Sequence, residues 1–166
     1  MFEIATLTLN DEGARIGLCP LPGALGALTS DLDEVVAWKP DIVVSMTEQS
    51  EMDAAMSGDL GERITAIGLA WRHLPIRDFG TPDETLTAAW HEVLGELHGC
   101  LDGKGAVLLH CRGGKGRSGM LALRLLIERG EEPDDALKRL RAVRPGAVET
   151  QDQLAWANAG VPVFRR

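Results

Sequence analysis

At 166 residues with a formal net charge of −8, the chain is expected to form one domain over residues 1–166, too acidic for nucleic acid to be the expected partner. Its 45% hydrophobic and 25% charged residues suit a water-soluble globular protein, and no apolar run approaches the ~20 residues that span a bilayer, so no membrane anchor is expected. Three scattered cysteines (Cys19, Cys100, Cys111) and an N-terminus lacking a basic then apolar stretch argue against a disulfide framework and a secretory signal, which points to the cytoplasm.

In chain order, FEIATLTL and ARIGLC read as short strands parted by the turn NDEG, and PLPGALG as a loop. Thr29 or Ser30 is expected to cap a helix over DLDEVVAWK that Pro40 stops. DIVVSM has the β-branched density of a buried strand, and TEQSEMDAAMSGDLGERITAIG reads as one or two short helices. WRHLPI is a further strand and RDFGTPDE a loop. A long helix is predicted from Pro82, capped by Thr81, because Leu86, Trp90, Val93, Leu94, Leu97 and Leu101 recur at helical spacing. The wholly apolar AVLLH is a strand, SGMLALRLLIERG a helix, and Pro133 opens another over DDALKRLRAV. ETQDQLAWANA reads as the last helix. The expected fold class is α/β: a central, mainly parallel sheet flanked by helices.

Residues 110–119, HCRGGKGRSG, stand between the AVLLH strand and the following helix. Gly114, Gly116 and Gly119 satisfy G-x-G-x-x-G, but the helix leads into another helix and leaves no βαβ unit to place an acid at a ribose. A Walker loop fails because Lys115 is followed by Gly116. A plain glycine turn around a buried cysteine leaves the charges unexplained, since Arg112, Lys115 and Arg117 repel one another unless an anion neutralises them. Glycines at 113, 114 and 116 free backbone N–H groups to converge on one point, and a helix N-terminus adds a positive dipole end. Arg112, Gly113, Gly114, Lys115, Gly116 and Arg117 are therefore the candidate phosphate-binding residues, with Arg117 able to grip two oxygens at once. At such a place a cysteine pKa of ~8.5 falls by several units, and a fall of ~3 units is ~4 kcal/mol in favour of the thiolate. A sulfur-transfer or arsenate-reducing loop is the weaker alternative, with Cys19 and Cys100 expected in the core rather than in a thiol relay.

The run His110-Cys111-x5-Arg117-Ser118 resembles the H-C-x5-R-S/T signature of the cysteine-based protein tyrosine phosphatases. The resemblance implies a cysteinyl-phosphate intermediate with Cys111 as nucleophile and Arg117 as phosphate clamp. It also implies Ser118 donating to the departing sulfur and His110 fixing the loop. Asp78-Phe79-Gly80-Thr81-Pro82 matches the family's D-x-G-x-P acid loop, making Asp78 the general acid and Gly80 a hinge, with Asp83 the runner-up. VETQDQLAW resembles the V-Q-T-x-x-Q-F/L/Y stretch whose glutamines position water in the second step. Gln153 fits the second glutamine, whereas Glu149 replaces the first. Asp78 as a carboxylate can then serve as the base.

With no tyrosine in the chain, the tyrosine-bearing loop of the long tyrosine-specific enzymes is missing, so the compact dual-specificity branch is the better resemblance. Phe79 or Trp71 would supply an apolar wall, with a place in the core as the equal alternative for both. The expected substrate is a phosphorylated protein or a small anionic phosphoester. Arg112 and Lys115 match basic positions of tensin-type phosphoinositide phosphatases, which keeps inositol or lipid phosphates as the alternative. The terminal Phe164-Arg165-Arg166 is too short for a polybasic membrane flank. A phosphate-recognition module without catalysis is the third reading. His73, His91 and His98 show no HExxH-type spacing, so neither metal nor other cofactor is expected.

Overall fold

A computed structural model of the chain describes residues 1–163; Phe164, Arg165 and Arg166 lie outside the described residues. Five strands form one mixed sheet. Strands β1 (Ala5–Thr8) and β2 (Arg15–Cys19) make an antiparallel hairpin, its turn tied by Asn10 Oδ1 accepting from the N–H groups of Glu12 and Ala14. Strands β3 (Ile42–Ser45), β4 (Ala70–His73) and β5 (Ala106–His110) complete the order β1-β2-β5-β3-β4, with every pair after the first parallel. β5, in the middle, is buried along its whole length, as an uninterrupted apolar run requires when both faces of a strand are covered.

Its side chains divide between two cores. Val107 and Leu109 face helices α4 (Thr87–Asp102), α5 (Gly116–Glu128), α6 (Pro133–Val143) and α7 (Gln151–Asn158); Leu108 faces α1 (Leu28–Trp38), α2 (Gln49–Ala54) and α3 (Leu60–Ala66). The period-2 alternation of a strand is what serves both layers at once. Among the described residues no helix is long and apolar enough to cross a membrane.

Two predicted caps fall elsewhere. Helix α1 begins at Leu28, two residues earlier than a Thr29 cap and three earlier than a Ser30 cap would start it, and the Ser30 hydroxyl donates back to Ala27 O (2.9 Å) instead of capping. Helix α4 is not capped by Thr81. Thr81 and Pro82 stay in the loop, and the cap falls two residues later. Asp83 accepts from the Leu86 N–H (3.1 Å), a 3-10 turn (Glu84–Leu86) follows, and the α-helix starts at Thr87.

Because four strands run parallel, the segments leaving β2, β3, β4 and β5 gather at one edge of the sheet. An open α/β sheet places its ligand there.

Candidate functional site

The phosphate-loop residues leave β5 at Cys111 and enter α5 at Gly116. Their carbonyls are all engaged from outside. Arg112 O accepts from the Leu21 N–H (3.1 Å), Gly113 O from Arg144 Nη2 (2.7 Å), Gly114 O from Arg144 Nε (3.0 Å) and Lys115 O from the Val148 N–H (3.1 Å). With the carbonyls drawn outward, the N–H groups of residues 112–115 donate to no protein acceptor among the described residues. Gly114 has φ +70, and a Cβ there would stand 2.4 Å from the Cys19 carbonyl carbon, so only glycine lets the loop lie against β2. Gly113, in contrast, faces open space. The two flanking cations diverge: Arg112 borders a cavity against α2, whereas Lys115 lies along Gly146.

Cys111 sits at the base of the loop, 3% exposed. Arg117 and Ser118, on the first turn of α5, are fully buried beneath it. Arg117 is held by four groups. Nη1 donates to Glu51 Oε2 (2.7 Å), Ile76 O (2.7 Å) and Met46 O (3.3 Å), while Nη2 donates to Glu51 Oε1 (2.8 Å) and pairs with Asp78 Oδ1 (3.1 Å). Its Nε and the Ser118 hydroxyl have no hydrogen-bond partner among the described residues. Two buried polar groups without partners, at the start of the helix that follows a buried cysteine, are costly unless something anionic completes them.

Glu51 is the residue the sequence reading missed. The charges of HCRGGKGRSG have no acid near them in sequence, but α2 begins just beyond the end of β3 and brings Glu51 to Arg117 in a two-bonded fork. Burial works to raise the Glu51 pKa, and the hydrogen bonds from Arg117 and the Glu48 N–H, with the guanidinium charge, outweigh it and hold the carboxyl below its ordinary value. The sequence signals only the helix start, since Glu48-x-x-Glu51 is a capping box, and not the pairing with Arg117.

His110 is fully buried, and desolvation brings its pKa down to about 4, so the imidazole is neutral. Trp71 Nε1 donates to Ser45 Oγ (2.8 Å), leaving that hydroxyl's own proton for His110 Nε2. His110 Nδ1 then carries the ring proton and turns it toward Cys111 O (3.4 Å). Trp71 is thereby corrected as an apolar wall. Its ring packs on Gly61 of α3, where a Cβ would come within 2.4 Å. Phe79 is the aromatic at the rim, 57% exposed.

Asp78 lies beside Arg117, half-exposed, on a loop with two tight features: Phe79 at φ +61 and a Gly80 N–H to Arg77 O turn (2.8 Å). That loop hangs from the start of α7. Gln153 Nε2 donates to Gly80 O (3.2 Å) and the Thr150 hydroxyl to Phe79 O (3.4 Å). Gln153 Oε1 accepts from the Glu149 and Thr150 N–H groups, so its amide is committed at both ends. The Glu149 carboxylate leans on the start of α5, 2.6 Å from where a Cβ at Gly116 would stand. Asp83 is occupied as a helix cap. Among the described residues no cluster of His, Cys, Asp or Glu has metal-binding geometry.

The architecture is that of the compact dual-specificity and tyrosine phosphatases. A structure of kinase associated phosphatase, with its catalytic-site cysteine replaced by serine, superposes with a TM-score of 0.82 at 28% identity, covering 94% of this chain and 92% of that one. Tk-PTP in its active form gives 0.71 at 29% identity, over 93% and 94%. Cyclin-dependent kinase inhibitor 3 of Mus musculus is 32% identical over 145 residues, 83% of this chain and 67% of that protein. The model for cyclin-dependent kinase inhibitor 3 (CDKN3) matches residues 4–136, and the chain belongs to this family.

Proposed function

We propose that residues 1–166 form one cysteine-dependent phosphatase domain that hydrolyses phosphomonoesters of proteins in the cytoplasm, without metal or other cofactor. In the first step the Cys111 thiolate attacks phosphorus, an S–P bond forms as the P–O ester bond breaks, and Asp78 gives its proton to the departing oxygen. The phosphoryl oxygens are held by the loop N–H groups of residues 112–116 and by Arg117. In the second step Asp78, now a carboxylate, takes a proton from water as the water oxygen attacks phosphorus. The S–P bond breaks, and Ser118 donates to the sulfur that leaves as thiolate. His110 fixes the Cys111 backbone. Gln153 positions the attacking water indirectly, through the loop that carries Asp78.

The observation that carries this reading is the pair of buried groups without partners among the described residues, Arg117 Nε and Ser118 Oγ, at the start of the helix that follows the buried Cys111, with Arg117 within electrostatic reach of Cys111 and paired with Asp78. Phosphoinositides stand second, because Arg112 and Lys115 diverge instead of closing over the loop together. The test is phosphate release, with chelator present, from phosphotyrosine peptides, phosphothreonine peptides and inositol phosphates, run beside Cys111→Ser. Release from peptides that Cys111→Ser abolishes is expected. Tight phosphoester binding with no release would make the protein a recognition module.

A further inference from the structure

Beside the phosphate loop lies a cavity of about 540 Å³ whose lining includes Glu51. One wall is the loop that leaves β2, with Leu21, Ala24 and Leu25; the other is α2 and its end, with Ala54 and Ala55. Arg112 and Gly113 belong to both the cavity and the phosphate loop.

The β2 wall is braced, not draped. Ser57, fully buried, donates to Pro22 O (2.6 Å), buried Asp31 accepts from the Gly23 N–H (2.8 Å), and the Leu21 N–H is fixed on Arg112 O. Gly23 (φ +90) admits no side chain, since a Cβ would meet Ser57 Oγ at 2.4 Å. This bracing presents Leu25 to water at 62% exposure, although Leu21, four residues earlier, is buried. An apolar side chain held out by a rigid loop at the rim of a cavity is a feature of recognition surfaces.

The geometry points to a docking groove, formed by Leu21, Ala24, Leu25, Ala54 and Ala55, that takes an apolar side chain neighbouring the phosphorylated residue of a protein substrate. The inference rests on the phosphatase reading above. Arg112 and Gly113 line both places, so a peptide that leaves the phosphate loop past them lays its adjacent residue over the groove. The volume suits one or two large side chains. Ser50 and Arg112 at the rim offer a donor and a cation to the carbonyls of an extended peptide. An anionic bilayer is disfavoured: the chain carries a net charge of −8, and Glu48 and Asp53 lie exposed on the groove's own helix or its cap.

The test uses paired phosphothreonine peptides that differ only in leucine or glycine next to the phosphorylated residue. The readout is the ratio of kcat/KM within each protein. The full chain is expected to prefer leucine about tenfold, the worth of part-burying that side chain. Leu25→Asp, at an exposed position, and Ala54→Trp, which fills the groove from an exposed position, should each bring the ratio to about one. A ratio near one in the unaltered protein, with brisk turnover of both peptides, overturns the groove and leaves the phosphatase reading intact. A preference that both variants leave untouched also overturns it. If phosphoinositide in vesicles is turned over faster than either peptide, and Leu25→Asp removes that advantage, the occupant is a lipid and the proposal fails. No release from peptides or from a small aryl phosphate removes the phosphatase reading, and the groove with it.

Discussion

Replacing Glu51 by glutamine tests how Arg117 is held. The two side chains are 1% and 13% exposed and joined by bonds of 2.7 and 2.8 Å, so solvent screens the pair little. Removing one partner of a buried ion pair costs about 3–5 kcal/mol. Glutamine keeps one accepting oxygen, and Arg117 keeps Met46 O, Ile76 O and Asp78, so about 2–3 kcal/mol is expected here. The Glu51 carboxyl is held below its ordinary 4.5, so its stabilising effect is complete above that value and fades as pH falls through the lower folded value. Urea unfolding of both proteins should therefore show a constant gap from about pH 8 to 5 that closes in more acid solution. At neutral pH, kcat/KM on a small aryl phosphate should fall by about 10²-fold as the guanidinium shifts. A gap below about 1 kcal/mol at pH 7, the value of an exposed pair, would refute the argument. So would a gap that persists undiminished in acid.

Three further outcomes are expected. The His110 pKa lies near 4, below the 6.5 of a free histidine, so the unfolded chain takes up that proton first. About 3 kcal/mol of stability should be lost between pH 6.5 and 4, and His110→Gln should flatten that part of a plot of Tm against pH. Gly114→Ala should cost more than about 2 kcal/mol in thermal unfolding, from its positive φ and a Cβ 2.4 Å from Cys19, whereas Gly113→Ala should stay within about 0.5 kcal/mol. Asp78→Asn should lower kcat by about 10²–10⁴-fold and flatten the alkaline limb of the pH profile, while Asp83→Asn, which keeps a capping oxygen, should leave that limb in place.

What could be read from the sequence was local. AVLLH followed by glycines and cations marks a strand, an anion loop and a helix in succession, and the structure has β5, the loop and α5 there. Asp78 was found because its loop carries its own markers, Gly80 and Pro82, and it does reach Arg117. Glu51 was missed because its partner is 66 residues away and only the folded sheet brings the ends of β3 and β5 together. Arg144 was missed for the same reason: it stands just past the predicted DDALKRLRAV helix, and its task is to hold two carbonyls 30 and 31 residues earlier. The Thr81 cap failed because Asp83, two residues on, is itself a good cap, and its carboxylate takes the Leu86 N–H instead.

The outward-turned carbonyls have a consequence for how such a site can diversify. The shape of the phosphate loop is set by Leu21, Arg144 and Val148 pulling on backbone oxygens, and by Gly114 against β2. None of those restraints passes through the side chains of Arg112 and Lys115 or needs glycine at position 113, and all three positions are exposed. Sequence drift at these three sites can therefore change the charge and bulk met by an incoming molecule while the arrangement that holds its phosphate stays put. Preference and chemistry are free to evolve separately, a few atoms apart.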